Sequence, residues 1–346
     1  MHLGSPPLLE VDVSPASGEG RQRLWAALAE VTSAQPAFSI RPDQDESAVL
    51  LGGPMPSMLH AAITRIALET GMELEAGEAR VAWRKRLLGE ARVDYTHKRQ
   101  AGGSGEFARV ILSIMPAALD CKDCFSSRAS RGGVPPEFLP AVEAGVMRAA
   151  LAVERFPVIG FRAELLDGAY HDVDSSAAAF EIAAREAFRR ACAKARVQTV
   201  EPVAAVEILI ATRQADTLID TLRRIGGDWT LLEPAAAIIA GDVRASGLLG
   251  CMAAIDQFGG AAKVAFSHYV SSPAPEDGSC NPPTGARRAV PNGGAESGED
   301  WDTARHRRTL EGLADVDTGN VIDHEIVRAW MDGLMSPPPR RAGLPG

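Results

Sequence analysis

Two short stretches concentrate the polar chemistry of this 346-residue chain. The first, HKRQAGGSGEF at residues 97–107, carries Lys98 and Arg99, then Gln100 and the glycines Gly102, Gly103 and Gly105. Cations beside glycines suit phosphate recognition: the side chains supply charge, and a backbone without Cβ atoms lets N–H groups approach an anion closely. The second, DGAYHDVDSSAAAF at residues 167–180, sets His171 and Asp172 between two tightly built ends. Asp167-Gly168 reads as a turn out of a strand, and Asp174, Ser175 and Ser176 offer oxygens to the unpaired N–H groups of a following helix. His171 is then left on a projecting loop, where it is either a contact residue or simply a polar loop side chain.

Other combinations carry less. Cys121 and Cys124 form a single C-x-x-C, half of a zinc site, with no second C-x-x-C or H-x-x-x-H to complete it. His171, Asp172 and Asp174 are acid/base and ligand types, but no nucleophile motif such as G-x-S-x-G accompanies them. No G-x-x-x-x-G-K-[S/T] phosphate loop occurs either. The residues therefore predict no enzyme activity, no metal and no cofactor. Five cysteines, an odd set without a regular framework, predict reduced thiols. No apolar run of about 18 residues and no signal-like N-terminus occur, which predicts a cytoplasmic protein without membrane association.

A formal charge of −9 counts against a nucleic-acid partner, yet the charge is unevenly placed. Residues 80–196 hold 19 basic and 14 acidic side chains, leaving 17 and 31 elsewhere. A basic middle between acidic flanks fits a central module that meets RNA.

The elements that must position these loops follow from periodicity. Residues 8–13 (LLEVDV) alternate as a strand, and residues 18–33 place Leu24, Leu28 and Val31 at helical spacing. Strands at 38–41 and 48–51, a helix at 57–70 and a strand at 72–76 complete a βαββαβ order. The same order returns with strands at 203–210, 229–233, 236–243 and 263–270 and helices at 215–225 and 247–257. The fold class is thus α/β (α+β), with two ferredoxin-like βαββαβ sandwiches flanking a central α/β module. In that module, strands at 81–96 and 107–114 form a glycine-tipped hairpin, followed by a helix at 137–153, a strand at 158–166 and a helix at 175–194. Ten of the twenty-eight residues in 273–300 are Gly or Pro, which reads as a disordered linker before a short helical tail. The predicted domains are therefore 1–77, 78–199 and 200–272, then the linker 273–300 and the tail 301–346.

The histidine loop closely resembles the loop-and-helix signature of domain four of elongation factor G. HKRQAGGSGEF resembles that family's glycine-rich hairpin, and RGGVPPEFLPAVEAGV (131–146) its proline-bearing helix start. PAFSIRPD (36–43), ARVAWRKRL (79–87) and FSHYVSSP (266–273) continue the resemblance, in order, through domains three to five. The resemblance implies a translation protein whose domain-four tip binds the ribosome at the small-subunit decoding region. Its tip residues would be Lys98, Arg99, Gln100, Gly102, Gly103, Gly105, His171 and Asp172. With no phosphate loop and a start that resembles domain three, a GTPase domain of its own is not expected, and a separate GTPase would supply any hydrolysis.

Departures from the family pattern bear on activity. GGPMPSMLHAA (52–62) stands where the family typically reads G-M-G-E-L-H-L-E, and AAIDQFGGAAK (253–263) lacks that family's Arg and Gln-Gly-Arg. Glu106 replaces the usual Gln after the last hairpin glycine and is expected to face RNA with a negative charge. Residues 310–334 resemble segments of small bacterial antitoxins, which implies a protein partner for the tail with Val327 and Trp330 as buried anchors. Two alternatives to ribosome binding follow: an interaction module acting through that tail, or a non-functional folded fragment of an elongation factor.

Overall fold

The structure, a computed structural model, describes residues 6–17, 20–43, 48–100, 105–119, 121, 124–129, 133–151, 153, 155–233, 237–272 and 288–290. Among these, one compact unit is drawn from residues up to 53, 75–202 and 269–288, and a second from 54–74, 203–268 and onward from 289. No described helix is long and apolar enough to cross a membrane.

Both predicted βαββαβ orders are present. Strand β1 (Leu9–Pro15) pairs antiparallel with β3 (Val49–Gly53), which pairs with β2 (Ser39–Pro42). Helix α1 (Arg21–Ala34) precedes β2, and α2 (Pro56–Thr70) precedes β4 (Leu74–Ala76). The sheet order β4-β1-β3-β2 is that of a ferredoxin-like fold. Helix α1 buries Leu24, Leu28 and Val31, the stripe its periodicity predicts. The second set comprises β11 (Val197–Leu209), α5 (Thr212–Ile225), β12 (Asp228–Glu233), β13 (Ile238–Arg244), α6 (Ala245–Gln257) and β14 (Ala261–Ser271). Its order, β14-β11-β13-β12, repeats the first. In α5 the buried positions Ala215, Leu218, Ile219 and Leu222 again follow the helical period.

The central module is a four-stranded sheet, β7 (Ala91–Arg99), β8 (Glu106–Pro116), β10 (Phe161–Ala169) and β9 (Phe125–Ser127), in that spatial order. Helix α4 (Ala177–Ala195) packs on β7, on β8 and on α3 (Leu139–Ala150), whose start is a 3-10 turn at Pro136–Phe138. Small residues make the close packing possible. A side chain at Gly145 of α3 would stand 2.3 Å from the carbonyl oxygen of Glu181, so only glycine lets the helices cross at this distance. Alanines at 179, 183, 184, 187, 191 and 195 line the buried side of α4, and Phe180 and Phe188 fill the space between. Phe180 stacks on Phe138 at 4.8 Å and Phe188 meets Phe161 at 5.0 Å. Each fully buried phenylalanine stabilises the module by about 1.5–3 kcal/mol.

Three local expectations are corrected. The single strand expected at 81–96 is three strands, β5 (Arg80–Val81), β6 (Arg84–Leu87) and β7, because each finds a different partner: β1, β11 and β8. Asp167-Gly168 does not leave the sheet. Both residues stay in β10 opposite Ile111 and Val110, after a bulge at Leu166. Gly168 is required there because a Cβ would come within 2.4 Å of the Arg109 carbonyl and of Val134 Cγ2. Finally, a short strand β15 (Arg288–Ala289) lies inside the stretch read as linker, and the N–H of Val290 donates to the Leu74 carbonyl at 2.8 Å.

An unexpected buried ion triad lies in the first unit. Glu10 of β1 accepts from Arg41 Nε at 3.0 Å and Nη2 at 2.6 Å, and from Arg84 Nη2 at 2.5 Å. Burial alone would raise the carboxyl pKa, but Arg84 and Arg41 together hold it well below the usual carboxylate range. The Arg84 guanidinium, which burial disfavours, is in turn held charged by Glu10.

Candidate nucleic-acid interface

The tip of the central module is built from the β7–β8 hairpin and the loop between β10 and α4. In the hairpin, Arg99 pairs with Glu106, Lys98 with Phe107 and His97 with Ala108. Lys98, Arg99 and Gln100 are all exposed. Gly102 and Gly103 lie outside the described residues, while Gly105 is described immediately before β8.

The second loop turns at residues 172–174 and enters α4 at its N-cap, Ser176, whose hydroxyl accepts from the N–H of Ala179 at 3.2 Å. Of the three oxygen-bearing residues expected to cap the helix, one does so. Asp174 and Ser175 instead reach across to the hairpin. The N–H of Gly105 donates to Asp174 Oδ1 at 2.9 Å, and the N–H of Phe107 donates to the Asp174 carbonyl at 2.8 Å. Ser175 Oγ donates to the Phe107 carbonyl at 2.6 Å and accepts from the His171 N–H at 2.9 Å. The two loops are therefore one hydrogen-bonded unit. Sequence reasoning missed Asp174 and Ser175 in this role, although a run of three candidate caps before one helix leaves two needing other partners.

His171 is fixed by its own loop. Its Nδ1 lies 3.3 Å from the backbone N–H groups of both Val173 and Asp174. Both donors are aimed at the Nδ1 lone pair, the arrangement of the tautomer whose N–H is Nε2. Asp174 Oδ2 also stands 3.4 Å from Nδ1, a contact that becomes an ion pair only in the protonated ring. The imidazole is more than half exposed, so its Nε2–H is available as a donor. Asp172 is exposed beside it, and Val173 and Tyr170 add exposed apolar surface, 74% and 42% accessible.

Glu106 does not stand unpaired at the tip. His97 Nε2 donates to its Oε2 at 2.8 Å on the same face of the hairpin. One step further from the tip, the Arg109 guanidinium forks onto both oxygens of Asp94, with Nε to Oδ1 at 2.8 Å, and this hydrogen bonding lowers the Asp94 pKa. Lys98 and Arg99, by contrast, have no ion-pair partner among the described residues. The described part of the tip thus presents two exposed cations, Lys98 and Arg99, alongside the exposed carboxylate of Asp172.

No group of three or more His, Cys, Asp or Glu side chains converges as a metal site among the described residues. Val327 and Trp330 of the tail lie outside the described residues.

Two antiparallel βαββαβ sheets and a loop-tipped module between them in sequence define the class as mixed α/β. Residues 79–196 match the family model described as elongation factor G, domain IV. Elongation factor G 1 of Pseudoalteromonas atlantica is 33% identical over 280 residues, covering 78% of this chain and 40% of that one. Elongation factor G of Neorickettsia sennetsu is 34% identical over 250 residues, covering 70% and 36% respectively. A crystal structure of ttk003000868 from Thermus thermophilus superposes with a TM-score of 0.55 at 28% identity, covering 79% of this chain and 42% of that one. The chain belongs to the elongation factor G family through its C-terminal domains, and it spans about 40% of the length of the curated relatives it matches.

Proposed function

We propose that this chain is a non-enzymatic translation protein that binds the ribosome in the cytoplasm, its domain-IV tip meeting the small-subunit decoding region. The observation that supports this reading is the bonded union of the two tip loops through Asp174 and Ser175, which holds Lys98, Arg99 and His171 on one projecting end. Two exposed cations supply attraction to phosphate, and the exposed His171 imidazole adds a directional hydrogen-bonding group. RNA recognition gains from such pre-ordering, because loops already fixed lose little entropy on binding. Residues 1–346 contain no G-x-x-x-x-G-K-[S/T] phosphate loop, so no residue among them is assigned to GTP hydrolysis.

Co-sedimentation with purified 70S ribosomes and with isolated subunits tests the proposal. The chain is expected to pellet with ribosomes and small subunits, and the variant Lys98→Ala/Arg99→Ala/His171→Ala to remain in the supernatant. Equal pelleting of the triple variant would remove the tip from the interaction.

A further inference from the structure

Cys121 and Cys124 stand at the far end of the central sheet from the tip. Strand β8 runs away from the hairpin to Pro116, and Cys124 immediately precedes β9, whose Phe125 pairs with Ala163 near the start of β10. Both cysteines are partly exposed. Two contacts distinguish the thiols. The Arg162 guanidinium lies 3.9 Å from Cys121 Sγ, with Nη2 as donor. Cys124 Sγ donates to the Cys121 carbonyl at 3.1 Å, which holds the second sulfur over the backbone of the first residue. The N–H of Ala163 donates to the Cys124 carbonyl at 2.8 Å, tying this corner to the same strand that carries Arg162.

We propose that Cys121 and Cys124 form a thiol–disulfide exchange site for low-molecular-weight disulfides, with Cys121 as the attacking thiol and Cys124 as the resolving one. The assignment follows from the contacts. The Arg162 guanidinium stands beside Cys121 Sγ, where a positive charge meets an attacking sulfur, whereas Cys124 Sγ is engaged as donor to a carbonyl and must leave that bond before it reacts. Cys121, as the thiolate, attacks one sulfur of the small disulfide, forms a mixed disulfide and expels one small thiolate. Cys124 then loses its proton to solvent and attacks Cys121 Sγ, closing the protein disulfide and expelling the second small thiolate. Two protein thiols and one small disulfide thus become one protein disulfide and two small thiols. Positions 121 and 124 both lie after β8 ends at Pro116 and before β9 begins at Phe125.

The remaining described cysteines do not compete. Cys192 and Cys251 are fully buried, and burial pushes the Cys251 thiol up to about 11. The experiment exposes the full chain to oxidised glutathione and maps thiols by mass spectrometry of peptides. A Cys121–Cys124 disulfide is expected in the wild type, and Cys124→Ala is expected to stall with one glutathione on Cys121. Arg162→Met should slow the first step by about three- to tenfold as the attacking sulfur loses the positive charge beside it, leaving the Cys192 peptide unmodified throughout. Glutathione on Cys124 in a Cys121→Ala variant at an unchanged rate would overturn the order assigned to the two thiols. Absence of any Cys121–Cys124 disulfide in the folded wild type would overturn the site.

Discussion

Glu10→Gln removes the single negative charge that two arginines share. The side chain of Glu10 is 5% exposed, those of Arg84 and Arg41 6% and 16%, so the variant leaves Arg84 charged, buried and without its counter-ion. Breaking a buried pair from one side costs about 3–5 kcal/mol. The partial exposure of Arg41 lets one of the two cations recover solvent, which places the expected loss near the lower end, about 3–4 kcal/mol. For a unit of this size that corresponds to a fall in melting temperature of roughly 6–16 °C. Urea titration followed by circular dichroism, with hydrogen exchange of the β1 amides, reads the effect within the unit that carries it. The exposed pair Arg65–Glu69, with side chains 45% and 63% accessible, is the internal comparison: Glu69→Gln should cost under about 0.5 kcal/mol. A loss for Glu10→Gln as small as that comparison would show that the triad is solvated, and the burial argument would fail.

Further outcomes follow from the same geometry. The Glu10 carboxyl has a folded pKa below its unfolded one, so its stabilisation is complete above the ordinary carboxylate range and is lost as pH falls through the folded value. Acid titration should therefore destabilise the wild type more steeply than Glu10→Gln, and parallel curves would contradict the linkage. Ser175→Ala removes one bond to the Phe107 carbonyl and one from the His171 N–H; about 1–3 kcal/mol of local stability should go, seen as faster amide exchange at His171 with the melting temperature nearly unchanged. Gly168→Val places a side chain against the Arg109 carbonyl and Val134, and a loss of at least about 1–3 kcal/mol is expected in thermal melts. Binding of ribosomes by Lys98→Ala/Arg99→Ala should lose salt dependence as well as strength, its log–log slope flattening by about 1–2 if both cations displace counter-ions.

Much of this architecture was legible because local signals agreed with the fold. Leu24, Leu28 and Val31 on α1, and Ala215, Leu218, Ile219 and Leu222 on α5, repeat at the helical period and are the residues buried. What stayed hidden depends on partners remote in sequence. Residues 80–99 form a nearly continuous strand-like run, and only pairing with β1, β11 and β8 in turn divides it into three. Asp167-Gly168 looks like a turn, yet its glycine serves a close strand approach that no local pattern encodes. Glu10 sits in an alternating strand where a polar residue suggests a solvent face. Instead β1 is buried on both faces, and its carboxylate is satisfied by arginines 31 and 74 residues away. At the tip, residue types identified the two loops, but the bonds that join them could be read only from structure, because Asp174 and Ser175 had an equally good local use as helix caps.

The proposed contact between the tip and the ribosome can be measured directly. A photo-crosslinking amino acid at Val173, 74% exposed on the histidine loop, reports the position in ribosome-bound protein. The prediction is crosslinking to small-subunit ribosomal RNA of the decoding region, lost when Lys98, Arg99 and His171 are replaced by alanine. Binding of the chain to ribosomes with no small-subunit crosslink from position 173 would contradict that placement.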